Sequence, residues 1–108
     1  LDRLDFVYMH VEAPDEAGHM GSVEEKVRAI ERLDEAIAIV LDRPDTTVAV
    51  LPDHPTPIRC KTHTADPIPF AILGKGKDDV AAFSEREAAG GSFGLMQAPD
   101  LLSLLFSR

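Results

Sequence analysis

"TTVAVLPDHPTP", residues 46–57, decides the fold class. Its first six residues are β-branched or apolar and read as a buried strand over 46–51. The strand stops where Pro52 and Pro55 remove backbone donors that a sheet ladder needs. Asp53 and His54 sit between those prolines. Adjacent side chains of a regular strand point to opposite faces, whereas a bent backbone can turn both to one side. A strand ending in polar ligands fits an open α/β sheet, where ligands bind outside the carboxyl ends of the strands.

Upstream, "DFVYMHV" (5–11) is a near-continuous apolar run, the pattern of a strand covered on both faces of a parallel sheet. His10 lies inside it and reads as a core residue. "EAPDEAGHMG" (12–21) is a polar loop or a broken helical turn, with Pro14, Gly18 and Gly21. Ser22 and Glu25 then have the spacing of a capping box. Val23, Val27, Ile30, Leu33, Ile37 and Leu41 follow at helical intervals, and Pro44 stops that helix near Asp42. "IPFAIL" (68–73) reads as a third strand, placed at an edge or a strand start by Pro69. Residues 74–94, with "GKGK" and "GGSFG", read as an irregular, mobile stretch. A last helix begins near Pro99. The order strand, helix, strand, strand, helix predicts α/β architecture: part of a mostly parallel sheet with flanking helices.

The chain of 108 residues suffices for one compact domain and not for two. A net charge of −8 argues against a nucleic-acid surface, which needs clustered Lys and Arg. The 6% aromatic content, without Trp, leaves little to stack on bases. No apolar run approaches the ~20 residues that span a bilayer. Cys60 has no partner for an internal disulfide, which points to a reducing compartment, the cytoplasm. The start "LDRLDFVYMHV" lacks the features of a signal peptide. There is no initiating Met, so Leu1 need not be the natural start.

Candidate ligands gather at predicted strand ends. Asp15 and His19 follow the first strand, Asp53 and His54 follow the second, and His63 precedes the third. Asp15 and His19 are four apart, so one helical turn would aim both at a single point. Carboxylate with imidazole suits Zn²⁺ or Mn²⁺ better than copper, or than Mg²⁺ with its preference for oxygen. Five ligands exceed one three-residue catalytic site, and two ions suit transfer at phosphorus. Each residue also has an ordinary reading. Asp53 could cap a turn, His63 could be a solvated loop residue, and Asp15 could favour a helix N-terminus. Lys61 has as good a claim to solvent as to a substrate phosphate. Cys60 reads as a bystander thiol.

Three stretches carry a resemblance: "HVEAPDEAGH" (10–19), "LPDHPTP" (51–57) and "KTHTADPIPF" (61–70). They resemble, in order, the C-terminal metal-binding motifs of archaeal-type cofactor-independent phosphoglycerate mutases, within the alkaline phosphatase superfamily. The resemblance implies that Asp15, His19 and His63 hold one divalent ion and Asp53 and His54 a second (Mn²⁺ or Zn²⁺, with Mg²⁺ also allowed). It implies a small phosphorylated hydroxyacid as substrate, and interconversion of 2- and 3-phosphoglycerate through a phosphoserine. No serine here has the nucleophile's motif, so residues 1–108 are expected to be the C-terminal part of a longer catalytic domain. Two alternatives stay open on the same residues. One is a related two-metal phosphatase or homoserine-kinase-like phosphotransferase; the other is an interaction module without catalysis.

Overall fold

The computed structural model describes residues 1–108. Helix α1 runs over Ala13–Met20, where a loop or broken turn was expected. Pro14 suits the first turn because its missing N–H would have no intrahelical partner. Gly21 ends the helix in the left-handed conformation, φ 70°, with its N–H on carbonyl oxygens of the last turn. Helix α2, Val23–Leu41, starts as predicted: the Ser22 hydroxyl accepts from the Glu25 N–H at 3.2 Å. Glu25 does not complete the box, because its carboxylate pairs with Arg28 at 3.0 Å. The helix ends at Asp42, two residues before Pro44.

Strands β1 (Val48–Val50) and β2 (Ala71–Leu73) fall inside the predicted second and third strands, each trimmed to three residues. They pair with each other, Val48 opposite Leu73 and Val50 opposite Ala71, and the pairing is antiparallel. This is the one ladder in the chain, so the parallel arrangement expected from the element order does not form within these residues. Residues 5–11 form no strand. Strands exist through their pairing, and this segment pairs with neither β1 nor β2. Phe6, Val7, Tyr8, Met9 and Val11 are exposed, and so is His10, a correction to its reading as a core residue.

A short helix α3, Glu85–Ala88, interrupts the stretch expected to be irregular; Ser84 caps it through the Glu87 N–H. Helix α4, Ala98–Phe106, begins one residue before Pro99 as its sequence predicts. Lys75 donates to the Ser107 carbonyl, and Phe106 lies against Phe6 with ring centroids 5.7 Å apart. No helix is long and apolar enough to cross a membrane.

The core is small and its position is informative. Four residues are buried: Ala17, Gly18, Thr56 and Pro69. Three of these lie where α1 meets the loop after β1, directly behind the candidate ligands. On α2, by contrast, the apolar stripe begins exposed at Val23, Val27 and Ile30, while Ala29, Leu33 and Ile37 turn partly inward. The best-packed part of the chain is thus the support of the site.

Candidate metal centre

Helix α1 presents Asp15 and His19 one turn apart, and His19 Nε2 lies 3.3 Å from Asp15 Oδ2. The loop after β2's partner strand, β1, supplies Asp53 and His54. Their side chains do converge: His54 Nε2 lies 3.3 Å from Asp53 Oδ2, and the Asp53 carboxylate also accepts from the His54 N–H at 3.0 Å. Pro52 and Pro55 leave that backbone free to bend. His63 completes the group, with Nε2 at 3.2 Å from Asp15 Oδ1 and 3.1 Å from His19 Nε2. Its ring also lies against that of His54, centroids 3.6 Å apart and the planes tilted by 31°. All five predicted ligands therefore meet at one place. Asp15, His54 and His63 have ligand atoms within 4.8 Å of one another, so the two expected ion sites are contiguous.

Hydrogen bonds set which imidazole nitrogens face the cluster. His19 Nδ1 lies 3.0 Å from the Lys61 carbonyl oxygen. A carbonyl only accepts, so Nδ1 carries the proton and the neutral ring keeps a lone pair on Nε2. His54 Nδ1 faces the Pro55 carbonyl at 3.4 Å and the Thr56 hydroxyl at 3.3 Å. The Thr56 proton goes to Asp15 Oδ1 at 2.5 Å, leaving only acceptors for His54 Nδ1. His54 is thereby the same tautomer, with its Nε2 lone pair toward Asp53.

That pattern is a test of fit for a cation. Neutral His19 and His54 each point a lone pair at a carboxylate, and His19 points one at His63 as well. Such contacts repel unless a proton or a metal ion lies between the atoms. The Asp15 carboxylate spans the two rings, with Oδ2 at 3.3 Å from His19 Nε2 and Oδ1 at 3.2 Å from His63 Nε2, a donor set that would suit a divalent cation. A metal-ligating histidine typically donates its other N–H to a carbonyl or carboxylate, as His19 does here.

The Asp15 carboxyl is held below the ordinary aspartate value, first by the Thr56 hydroxyl and then by His19, His63 and His54, against a penalty from burial. Lys61 also contributes through its backbone. Its carbonyl orients His19, its backbone takes a left-handed conformation with φ 54°, and its side chain lies over Gly21. The residue that sequence reasoning missed is Thr56. Its signal was weak: a lone hydroxyl between two prolines, next to a ligand pair.

A family profile described as "Metalloenzyme superfamily" matches residues 1–108. The chain belongs to the metalloenzyme superfamily. Within it, the chain is 52% identical to the 2,3-bisphosphoglycerate-independent phosphoglycerate mutase of Methanosarcina mazei, over 97% of this chain and 29% of that protein. To the enzyme of the same name from Methanothrix thermoacetophila it is 48% identical, over 99% of this chain and 29% of that one. Among solved structures, the PH0037 protein from Pyrococcus horikoshii superposes with a TM-score of 0.88 at 37% identity, covering 94% of this chain and 32% of that one. This superfamily member thus spans under a third of the length of the relatives it matches.

Proposed function

We propose that these 108 residues are the C-terminal part of the metal-binding catalytic domain of a cytoplasmic 2,3-bisphosphoglycerate-independent phosphoglycerate mutase. The observation that carries the proposal is the convergence of Asp15, His19 and His63 on one point, with Asp53 and His54 beside it. The identity of about half to relatives bearing that name supports the substrate class, a small phosphorylated hydroxyacid.

Asp15, His19 and His63 would hold one divalent ion, and Asp53 with His54 the other, as Mn²⁺, Zn²⁺ or Mg²⁺. Bound there, such ions supply Lewis acidity and positive charge for phosphoryl transfer. The chain's own part is to fix donors. The Lys61 carbonyl and the Thr56 hydroxyl hold two imidazoles in one tautomer, and α1 sets Asp15 and His19 at a single helical turn. Lys61 would lie near substrate phosphate. The nucleophilic serine that becomes phosphoserine would lie outside these residues, as would the strands that extend the sheet in parallel and pair with residues 5–11.

The test is conversion of 3-phosphoglycerate to 2-phosphoglycerate by the intact protein, with no bisphosphoglycerate added. Chelation should abolish turnover and Mn²⁺ or Zn²⁺ should restore it. Release of inorganic phosphate instead of the isomer would replace this reading with a phosphatase on the same scaffold. Tight metal binding with no turnover on any phosphorylated hydroxyacid would leave an interaction module.

A further inference from the structure

Thr56 is the most buried polar residue of the chain, 4% exposed, and both its hydroxyl and its carbonyl oxygen are engaged. Its hydroxyl donates to Asp15 Oδ1 at 2.5 Å and accepts from His54 Nδ1 at 3.3 Å. Its carbonyl accepts from Lys26 Nζ, on α2, at 2.7 Å. Gly18 lets α1 come down onto it: a Cβ at Gly18 would overlap the Thr56 carbonyl oxygen and stand 2.8 Å from its Cγ2. One residue therefore joins three elements at a point just behind the ligands.

We infer that Thr56 is a positioning residue that sets two metal ligands from different elements at once, Asp15 on α1 and His54 on the loop after β1. The hydroxyl has one proton and two lone pairs, so its roles toward these neighbours are complementary. Giving the proton to Asp15 orients that carboxylate. Offering a lone pair to His54 selects the Nδ1–H tautomer and leaves Nε2 free toward Asp53. Both ligand sets are thereby registered against one buried atom, which a proline-bounded loop holds in place. Lys26 and Gly18 act on Thr56 rather than on the ligands. Outer partners of this kind typically change metal affinity by about 10–100-fold when removed.

The inference rests on the metal reading of the site, and the experiment separates the two. In the intact protein, Mn²⁺ affinity is measured by calorimetry for the wild type, Thr56→Ser, Thr56→Val and Lys26→Met. Histidine tautomers are read separately, by ¹H–¹⁵N correlation of the metal-free wild type above pH 8. Thr56→Val should bind Mn²⁺ about 10–100-fold more weakly, and Thr56→Ser should stay within about 3-fold of wild type. Lys26→Met, which keeps the hydroxyl but frees the loop, should fall between them. His54 should appear as the Nδ1–H tautomer, a readout that needs no variant to fold. Wild-type affinity in Thr56→Val, or an Nε2–H tautomer for His54, would overturn the positioning role while leaving the metal reading intact. A wild type that takes up no Mn²⁺ would overturn both.

Discussion

His19 Nε2 lies 3.1 Å from His63 Nε2, and His19 cannot be the proton donor of that pair while neutral, because its N–H is committed to the Lys61 carbonyl. His63 must then supply the proton, or a cation must sit between the rings. With Asp15 Oδ1 only 3.2 Å from the same His63 nitrogen, the cluster is arranged for positive charge. The chain's acidity elsewhere does not create this; the local hydrogen bonds do.

The two flanks of that cluster should respond differently to truncation. His63 has a half-exposed side chain, and its removal opens no cavity. His63→Ala should leave metal-free stability within about 0.5 kcal/mol of wild type. Asp15→Ala removes the acceptor of a buried hydroxyl, which costs about 1–3 kcal/mol. Chemical denaturation of the chelated intact protein, comparing the two variants, reads this directly. Equal midpoints would mean that Thr56 finds another acceptor.

Gly18→Ala poses two opposed effects. Alanine favours an α-helix over glycine by roughly 0.8–1.0 kcal/mol. The new Cβ would overlap the Thr56 carbonyl oxygen, and forcing atoms into a packed site typically costs about 1–3 kcal/mol. The obstructing atom is backbone in a proline-bounded loop, so the clash should win and the thermal midpoint should fall. A higher midpoint would show that α1 lifts off the loop without penalty.

How far the sequence already disclosed this arrangement depends on the range of the interaction. Local signals were legible: Ser22 as a cap, Pro44 as a stop, Pro99 at a first turn, and Asp15 with His19 on one turn. The candidate residues that converge were legible too, because spacing and the proline bracket are chain-local features. What pattern reading misplaced depends on partners. The apolar run 5–11 has a strand's composition but pairs with neither strand here, and the strands at 48–50 and 71–73 pair antiparallel although the element order suggested parallel. Thr56 gave only a weak signal for the same reason. Its importance arises from Asp15, 41 positions away, and from Lys26 on another helix.

Asp78 gives a pH dependence away from the ligands. Its carboxylate accepts from the backbone N–H of Ser92 at 2.9 Å and of Val80 at 3.0 Å, closing the stretch around α3. Those bonds, that of Ser92 foremost, hold its carboxyl below the ordinary aspartate value. The unfolded chain then binds the extra proton more readily than the native one, so this contribution is complete above the unfolded value. It is lost as pH falls through the lower folded value. Amide exchange at Ser92 and Val80 should accelerate over that acid window, and Asp78→Ala should make it fast at every pH. Unchanged protection in Asp78→Ala would remove the carboxylate from the account.

Metal removal should reveal the site as a stability linkage. A ligand that binds only the native state stabilises it by about 2.7 kcal/mol at a hundredfold excess over Kd. The candidate ligands come from α1, from the loop after β1 and from the stretch before β2, so an unfolded chain does not bring them together. Mn²⁺ at that excess should therefore raise the thermal midpoint of the intact protein by several degrees, and chelation should reverse it. His63→Ala removes a donor without disturbing the packing behind the site. It should match the chelated wild type and lose most of the rise on adding Mn²⁺ at the same concentration. A full rise in His63→Ala would place the ion elsewhere and would exclude His63 as its ligand.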